Sequence, residues 1–150
     1  MSGGPRSRAE RRRCTEHRLT HDPAVWVASA SADGAPYLVP MSFDWDGEAL
    51  LMATSIESQT GRNLAAGRTV RLGLGSSADV STIEGDVEVL ELDALPSERR
   101  DHYTARTGFD PRGSARPYRW FRVSPRRIQA YREVSEMPDR DLMCDGRWLI

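Results

Sequence analysis

The chain has 150 residues, 39% of them apolar, and a formal net charge of -1. This length supports one domain with a core of its own but not two. The near-zero charge argues against a nucleic-acid binder that gains its affinity from phosphates. We also find no apolar stretch long enough for a membrane span or a signal peptide, so we expect a cytoplasmic protein.

The first predicted element is a charged helix. Residues 6–20, RSRAERRRCTEHRLT, have a helix-forming composition and only a weak apolar face. Such a charge run is typical of a solvated helix with a frayed start. We therefore interpret residues 1–23 as an N-terminal charged helix or tail.

The sequence becomes β-type from residue 24. Residues 24–55 contain three β-type runs separated by Asp33-Gly34 and Asp46-Gly47, and Asp-Gly is a strong short-range signal for a hairpin. The runs predict a three-stranded antiparallel meander whose two type I′ turns place the glycines at positive φ. Proline cannot donate to a ladder, so Pro36 and Pro40 predict that the second strand is an edge or is interrupted near Pro40.

Short helices and further strands complete the domain. Ser58 is a predicted helix N-cap, and that helix ends at Gly67. Further elements are predicted over 69–75, 80–93, 96–107 (a helix closed by Gly108) and 118–134 (two strands bent at Ser124-Pro125). Six or seven antiparallel strands with two or three short helices indicate a mainly β fold, a small β-barrel over residues 24–134. Residues 135–150, rich in Asp and Arg, are interpreted as a C-terminal tail.

Several common motifs are excluded. Gly73 and Gly75 begin a dinucleotide-type pattern, but no third glycine and no helix follow. A GxSxG elbow is also missing from the sequence. The histidines and cysteines have no metal-binding spacing, so we predict no metal site and two free thiols; these residues are His17, His21, His102, Cys14 and Cys144.

The polar stretch TSIESQTGRNLAAG, residues 54–67, has the composition of an anion site. Hydroxyls at the end of a strand, the start of a helix and one guanidinium are the groups that bind a phosphate. All 21 basic residues of the chain are arginines, which excludes a lysine Schiff base and leaves the planar donors of Arg for any anion. On spacing alone, an ordinary polar loop with a capped helix remains an alternative.

Residues 24 to about 133 resemble the pyridoxamine 5′-phosphate oxidase-like, flavin-binding split-barrel superfamily, especially its small flavin/deazaflavin oxidoreductases. The resemblance lies in the stretches ASADGAPYLVPMSFDWDGEALLMATS, ESQTGRNLAAGRTVRLGL, IEGDVEVLE and WFRVSPRRIQAYR, in their order and spacing. It implies a homodimer of six-stranded antiparallel split barrels, with a cofactor in each of two clefts at the subunit interface.

The resemblance also implies roles for individual residues. Pro40, Met41 and Ser42 would lie beside the ring of the cofactor, and Thr54 and Ser55 would meet its ribityl chain or phosphate. The phosphate itself would be held by Ser58, Thr60, Arg62 and Asn63. Many relatives have Lys at the position of Thr60, which weakens the predicted phosphate site here. Trp120 and Tyr131 are candidates for the cleft wall, and a core-facing position is an equal alternative for both.

The predicted function is that of an oxidoreductase. A flavin (FMN) or the deazaflavin coenzyme F420 would exchange a hydride with a small conjugated substrate, while the protein orients the ring and excludes water. The two cofactors are nearly even, with a slight preference for F420. No side chain is assigned as a general acid or base. The Arg-rich N-terminal segment would either meet the polyglutamate tail of F420 or be solvated.

Two alternatives remain open from the sequence. The first is a non-catalytic carrier or sensor of haem, another tetrapyrrole or a fatty acid in the same cleft, which a weak phosphate site would favour. The second is a structural dimer with an empty cleft. We predict no nucleic-acid or membrane partner, only the second subunit and a small-molecule substrate.

Overall fold

The structure is a computed structural model that describes residues 4–150, so the first three residues of the predicted N-terminal segment lie outside it. The strands are β1 (Ala24–Ala30), β2 (Pro36–Ser42), β3 (Asp44–Trp45), β4 (Leu50–Ser55), β5 (Thr69–Ser76), β6 (Asp79–Leu90), β7 (Tyr118–Tyr131), β8 (Asp141–Cys144) and β9 (Arg147–Trp148). The α-helices are α1 (Arg8–His21), α2 (Gln59–Gly67) and α3 (Ser97–Thr107), and short 3-10 turns cover Leu92–Ala94, Pro111–Gly113 and Val134–Asp139.

The strands form one antiparallel sheet that curls into a half-barrel. The order along its main path is β2-β1-β5-β6-β7-β4-β3, and β8 and β9 extend the sheet from β7. This confirms the predicted mainly β fold of six or seven antiparallel strands. β2 pairs with β1 and forms one edge of the main path, as Pro36 and Pro40 predicted.

The predicted three-stranded meander is wrong. β4 pairs with β3 and β7 and lies at the opposite end of the sheet from β2. The chain leaves β2 at Phe43, whose side chain is fully buried in the main core. Burial of Phe43 carries the chain away from the β1–β2 hairpin, so residues 24–55 form two separate hairpins.

In the first predicted turn the glycine has the expected conformation, but the turn is not of the expected type. Gly34 has φ 86°, while Asp33 does not have positive φ. The Gly34 N–H donates to Ser31 O (2.9 Å), and the Ser31 N–H donates to Ala35 O (3.0 Å). These bonds describe a type I turn closed by a left-handed glycine, the usual three-residue hairpin loop.

The second predicted turn departs from type I′ in the same way. Gly47 has φ 98°, and Asp46 again does not have positive φ. The Asp46 carboxylate accepts hydrogen bonds from the backbone N–H groups of Glu48 (2.8 Å) and Ala49 (2.7 Å). This side-chain cap stabilises an Asx-type turn, for which the aspartate needs no positive φ.

A type I′ turn does occur, in the segment predicted as a tail. Asp145 and Gly146 have φ 51° and 76°, and they join β8 to β9, whose residues Cys144 and Arg147 are paired. β8 also pairs with β7. Residues 141–148 are therefore part of the sheet. Their turn contains an Asp-Gly pair, the same signal that predicts hairpins elsewhere in the chain.

The predicted bend at Ser124-Pro125 is a bulge within a single strand. β7 runs without interruption for 14 residues. Pro125 pairs with Gly85 and Arg127 with Glu84, which leaves Arg126 as the extra residue. A bulge tolerates proline because the local ladder hydrogen bond is already lost.

The N-terminal helix is capped at its start and has one buried face. Ser7 and Glu10 form a capping box at its start, which satisfies the first free N–H groups. Arg11, Thr15 and Leu19 are buried against the sheet. The Arg11 guanidinium donates to the backbone oxygens of Ala130 and Asp139, both at 2.8 Å, so arginines that look solvated in the sequence pack α1 onto the half-barrel.

Two apolar clusters fill the fold. The larger lies within the half-barrel and includes Leu50, Met52 and Phe121. The smaller lies under α3, where Leu51, Leu95, Tyr103 and Trp120 pack together. Because β4 contributes Met52 to one cluster and Leu51 to the other, it separates the barrel interior from the α3 side.

Candidate functional site

A surface depression of about 290 Å³ lies where β2, β4, α3 and the start of β7 meet. Its lining comprises Met41, Ser42, Ala53, Thr54, Tyr103, Phe109 and Tyr118. The structure thus brings together three of the residues predicted for the cofactor, namely Met41, Ser42 and Thr54. Pro40 is exposed on β2 immediately before them.

A chain of hydroxyl groups connects this depression to the start of α2. The Oγ atoms of Thr54 and Ser58 lie 3.2 Å apart. Ser58 Oγ also donates to Ser55 O (2.8 Å) and accepts from the Gly61 N–H (3.0 Å), which confirms the predicted N-cap. The positive end of the α2 dipole therefore lies beside Thr54, in the position where an anion would be stabilised.

Gly61 permits this close approach of helix and strand. A Cβ atom built at position 61 would lie 2.1 Å from Ser55 O. No side chain fits such a contact without movement of the backbone. The glycine thus fixes the distance between the end of β4 and the first turn of α2.

Arg62 is exposed on the first turn of α2. Its guanidinium donates to Glu57 O and to Gln59 Oε1, the latter at 2.8 Å. Both acceptors belong to the same polar stretch. The guanidinium is therefore held close to the start of α2 and remains accessible to solvent.

The remaining predicted phosphate ligands contribute to packing. Thr60 and Asn63 are buried. The Asn63 side chain donates to Ser29 Oγ of β1 (3.1 Å) and accepts from Gln59 Nε2 (2.7 Å). The structure thus places Thr60 and Asn63 away from the depression, whereas Thr54 lines it.

Trp120 lies one layer behind the depression. Its side chain is fully buried, and its indole N–H donates to Leu92 O at 3.1 Å. Its ring meets that of Tyr103 edge-on, with 4.9 Å between centroids. Trp120 therefore supports the Tyr103 side of the lining rather than forming the surface, as its core-facing alternative predicted.

Sequence reasoning missed the aromatic part of the lining. The rings of Phe109 and Tyr118 lie 5.4 Å apart, and Tyr103 is nearly fully buried, which raises its pKa to about 12. Phe109 follows Gly108, the left-handed cap of α3. An aromatic residue directly after a predicted helix end is a signal that was present, but the sequence does not show which surface it faces.

A buried carboxylate lies on the other hairpin. Asp44 is fully buried, and three side chains of α3 reach it: Arg99, His102 (Nδ1 to Oδ2, 2.6 Å) and Arg106 (3.5 Å). Burial alone would raise the pKa of Asp44, but the hydrogen bonds from His102 and Arg99 outweigh it and hold the pKa below its ordinary value. Asp44 is therefore ionised and ties α3 to β3. No sequence signal links these residues, since 58 positions separate Asp44 from His102.

Other surface features lack the predicted cofactor ligands. A depression of about 690 Å³ has charged walls that include Glu84, Asp86 and Arg127. An outer groove of about 350 Å³ crosses the sheet and is lined in part by Trp26, Leu38 and Tyr131. Tyr131, a predicted wall residue, therefore lies on this outer groove and not in the depression beside Thr54.

The described part of the chain contains neither a metal-binding cluster nor a membrane-spanning helix. Within residues 4–150, no group of three or more His, Cys, Asp or Glu side chains is arranged to hold a metal ion. Among the described helices, none has the length and apolar character required to cross a bilayer. Cys14 and Cys144 are free thiols, as predicted.

A family model provides the first comparison with known proteins. The model described as pyridoxamine 5′-phosphate oxidase matches residues 15–132, well over half of the chain. No curated protein sequence matches the chain.

Solved structures share the fold at low sequence identity. An F420 reductase is 21% identical with a TM-score of 0.63, and the match covers 75% of this chain and 94% of that one. General Stress Protein 26 from Bacillus anthracis is 17% identical with a TM-score of 0.55, covering 77% and 88%. A heme binding protein from Mycobacterium smegmatis is 16% identical with a TM-score of 0.67, covering 94% of this chain and 59% of that one.

Proposed function

Since the chain belongs to the pyridoxamine 5′-phosphate oxidase family, we propose that it is a flavin- or deazaflavin-dependent oxidoreductase acting on a small conjugated substrate. The observation that carries the proposal is the meeting of Met41, Ser42 and Thr54 in one depression. The Thr54 hydroxyl lies beside Ser58 at the start of α2. The proposed ring site and the proposed anion site are thus adjacent, as a phosphate-bearing flavin requires.

The residues present fit such a cofactor. Met41 and Ser42 would border the ring, and Thr54 would face the ribityl chain. Ser55 is buried, and its Oγ accepts a hydrogen bond from the Glu57 N–H (3.2 Å). Ser58 and Arg62 would hold the phosphate, and Thr60 and Asn63 would fix α2 against the sheet behind it. When bound, the ring of a flavin or deazaflavin supplies the hydride transfer. The chain's own part is to bind and orient the ring, while the apolar rings of Phe109 and Tyr118 exclude water from it.

Of the two cofactors we favour F420 slightly over FMN. The match to a solved F420 reductase covers 94% of that protein. Position 60 has Thr rather than a cation, so Arg62 would be the principal charged contact to a phosphate. Arginine suits this role because its planar donors can bond two phosphate oxygens.

We further propose that the protein is a homodimer and that the outer groove forms its interface. Trp26 and Leu38 are 51% and 60% exposed, and both lie on the outer face of the β1–β2 hairpin. Large apolar side chains clustered in this way mark an association surface. A two-fold symmetric contact would bury the same patch on both subunits. We place this dimer in the cytoplasm, because its two cysteines are free thiols.

A titration of the purified full chain tests the proposal. FMN, FAD, F420 and haem are added side by side while the melting temperature, the cofactor fluorescence and the visible spectrum are recorded. Binding of FMN or F420 should raise the melting temperature, since a ligand at a hundred times its Kd stabilises the folded state by about 2.7 kcal/mol. No shift with either cofactor at millimolar concentration would contradict the proposal.

A second candidate is a non-catalytic carrier of haem, another tetrapyrrole or a fatty acid. The observation that favours it is the weak anion site, in which Thr60 is buried and Arg62 already bonds Glu57 and Gln59. The same titration separates the candidates. A haem absorption band with no response to FMN or F420 would support the carrier.

A further inference from the structure

His102 combines exposure to solvent with a buried anionic partner. Its Nδ1 lies 2.6 Å from Oδ2 of Asp44, and 64% of its side chain is exposed while that of Asp44 is fully buried. His102 also lines a second depression, of about 460 Å³. The other residues of that lining are Trp45, Asp46, Pro96, Glu98 and Arg99.

The contact with Asp44 determines which nitrogen of the imidazole is free. An ionised carboxylate only accepts hydrogen bonds, so Nδ1 of His102 carries the donated proton. In a neutral imidazole the lone pair then lies on Nε2. An imidazole held in this tautomer by a carboxylate has the arrangement of an oriented base or nucleophile.

His102 is not needed to balance the charge of Asp44. Arg99 and Arg106 both contact the same carboxylate, and Arg106 also donates to Leu19 O (2.7 Å) and Asp22 O (3.0 Å) at the end of α1. These arginines suffice to tie α3 to β3 and α1. The imidazole is thus an additional partner with its reactive edge towards solvent.

The second depression suits a small aryl ester. Trp45 and Pro96 provide an apolar wall against which an aromatic ring can pack. Arg99 lines the same depression, and guanidinium N–H groups stabilise an oxygen that gains negative charge. A carbonyl group held between Arg99 and His102 would therefore be activated towards attack.

We propose that His102 is a nucleophile for activated aryl esters in this second depression, with Asp44 as the positioning residue. The Nε2 lone pair forms a bond to the ester carbonyl carbon, the bond to the aryl oxygen breaks, and the aryloxide leaves with its electron pair. The cationic acyl-imidazole is stabilised by Asp44. Water then adds to the acyl carbon and gives a proton to solvent, and the carbon–nitrogen bond breaks to restore Nε2 and release the acid.

Hydrolysis of p-nitrophenyl acetate by the full chain tests this activity. His102→Gln should lower the rate of p-nitrophenol release by about a hundredfold, the low end of what a positioned group contributes. The matched control is the double variant His17→Gln/His21→Gln, which removes two exposed histidines of α1 and should leave the rate unchanged. After rapid quenching, mass spectrometry should find the acetyl adduct on the peptide that contains His102.

Three further variants keep the test decisive. His102→Gly should regain p-nitrophenol release when imidazole is added, above the rate that the same imidazole gives with His102→Gln, which shows that the site and not only the fold is intact. Asp44→Asn should lower kcat with little change in KM, and Asp44→Glu should restore part of it. If His102→Gln retains the parental rate, or if the acetyl group is found on another residue, the proposal is overturned.

Discussion

The guanidinium of Arg62 provides the sharpest test of the anion site. Arg62→Ala should weaken binding of FMN or F420 by roughly ten- to a hundredfold, because it removes a charge-assisted hydrogen bond worth about 1.5–3 kcal/mol. Arg62→Lys should restore only part of the affinity, since a point charge replaces a two-pronged donor. Isothermal titration calorimetry of each variant measures the change in cofactor affinity.

The control for Arg62 is Arg68→Ala at the opposite end of α2, which should leave affinity unchanged. Stability of Arg62→Ala should stay within about 0.5 kcal/mol of the parent, as is usual for an exposed residue. Unchanged affinity in Arg62→Ala would mean that residues 54–67 are only a capped polar loop.

Position 61 tests the contact between α2 and β4. Gly61→Ala places a methyl group 2.1 Å from Ser55 O, so we expect the free energy of unfolding to fall by about 1–3 kcal/mol, as in other overpacked sites. Gly67→Ala is the matched control, because no atom lies within 4 Å of its added methyl group and alanine should stabilise the helix slightly. Denaturant unfolding measures both, and equal stabilities would show that α2 is not held by this contact.

At the scale of elements, the 3-10 turn Val134–Asp139 is tied to the N-terminal segment by charge. Glu136 Oε1 lies 2.9 Å from Nη2 of Arg6, and the Glu136 side chain is almost completely buried. The hydrogen bond from Arg6 outweighs the effect of burial and lowers the pKa of Glu136 from 4.5 to about 2. A carboxylate with a lowered pKa stabilises the fold above its ordinary pKa and loses that contribution as the pH falls.

Glu136→Gln should therefore destabilise the protein at pH 7 by about 1.5–3 kcal/mol, the range for hydrogen bonds to charged groups. The difference in stability between parent and variant should persist down to about pH 4.5 and disappear as the pH falls towards 2. Glu133→Gln, a change at an exposed neighbour, should have no such effect. A difference in melting temperature that does not vary with pH would refute the role of the ionised pair.

Local signals predicted most elements of this fold, whereas contacts between distant segments were not predictable. Ser58, Gly108 and the prolines of β2 act through their own backbone, so their effects can be derived from sequence. The pairing of β4 with β7 depends on burial shared by residues far apart in the chain. The same holds for the site: Met41, Ser42 and Thr54 follow from the family resemblance, but Tyr103 and Phe109 face the depression only because α3 packs where it does.

At the scale of the whole molecule, we expect dimer formation to depend on the outer groove. The parent should sediment as a dimer at micromolar concentration, and Trp26→Glu/Leu38→Glu should sediment as a folded monomer with weaker cofactor binding, because charges on both copies would have to be buried together. Val134→Glu is the control, since Val134 is 85% exposed and lies outside the groove. A monomeric parent, or a double variant that remains dimeric, would exclude this interface.

The bond between Arg6 and Glu136 also constrains how the chain folds during synthesis. Its two residues are 130 positions apart, and a ribosome adds about 5–20 residues per second, so Arg6 waits on the order of 10 s for Glu136. The capping box of Ser7 and Glu10 needs only neighbouring residues and can form during that interval. Closing a loop of this length costs conformational entropy, so the contact should be absent from the folding transition state. Breaking it should therefore speed unfolding and leave the refolding rate nearly unchanged.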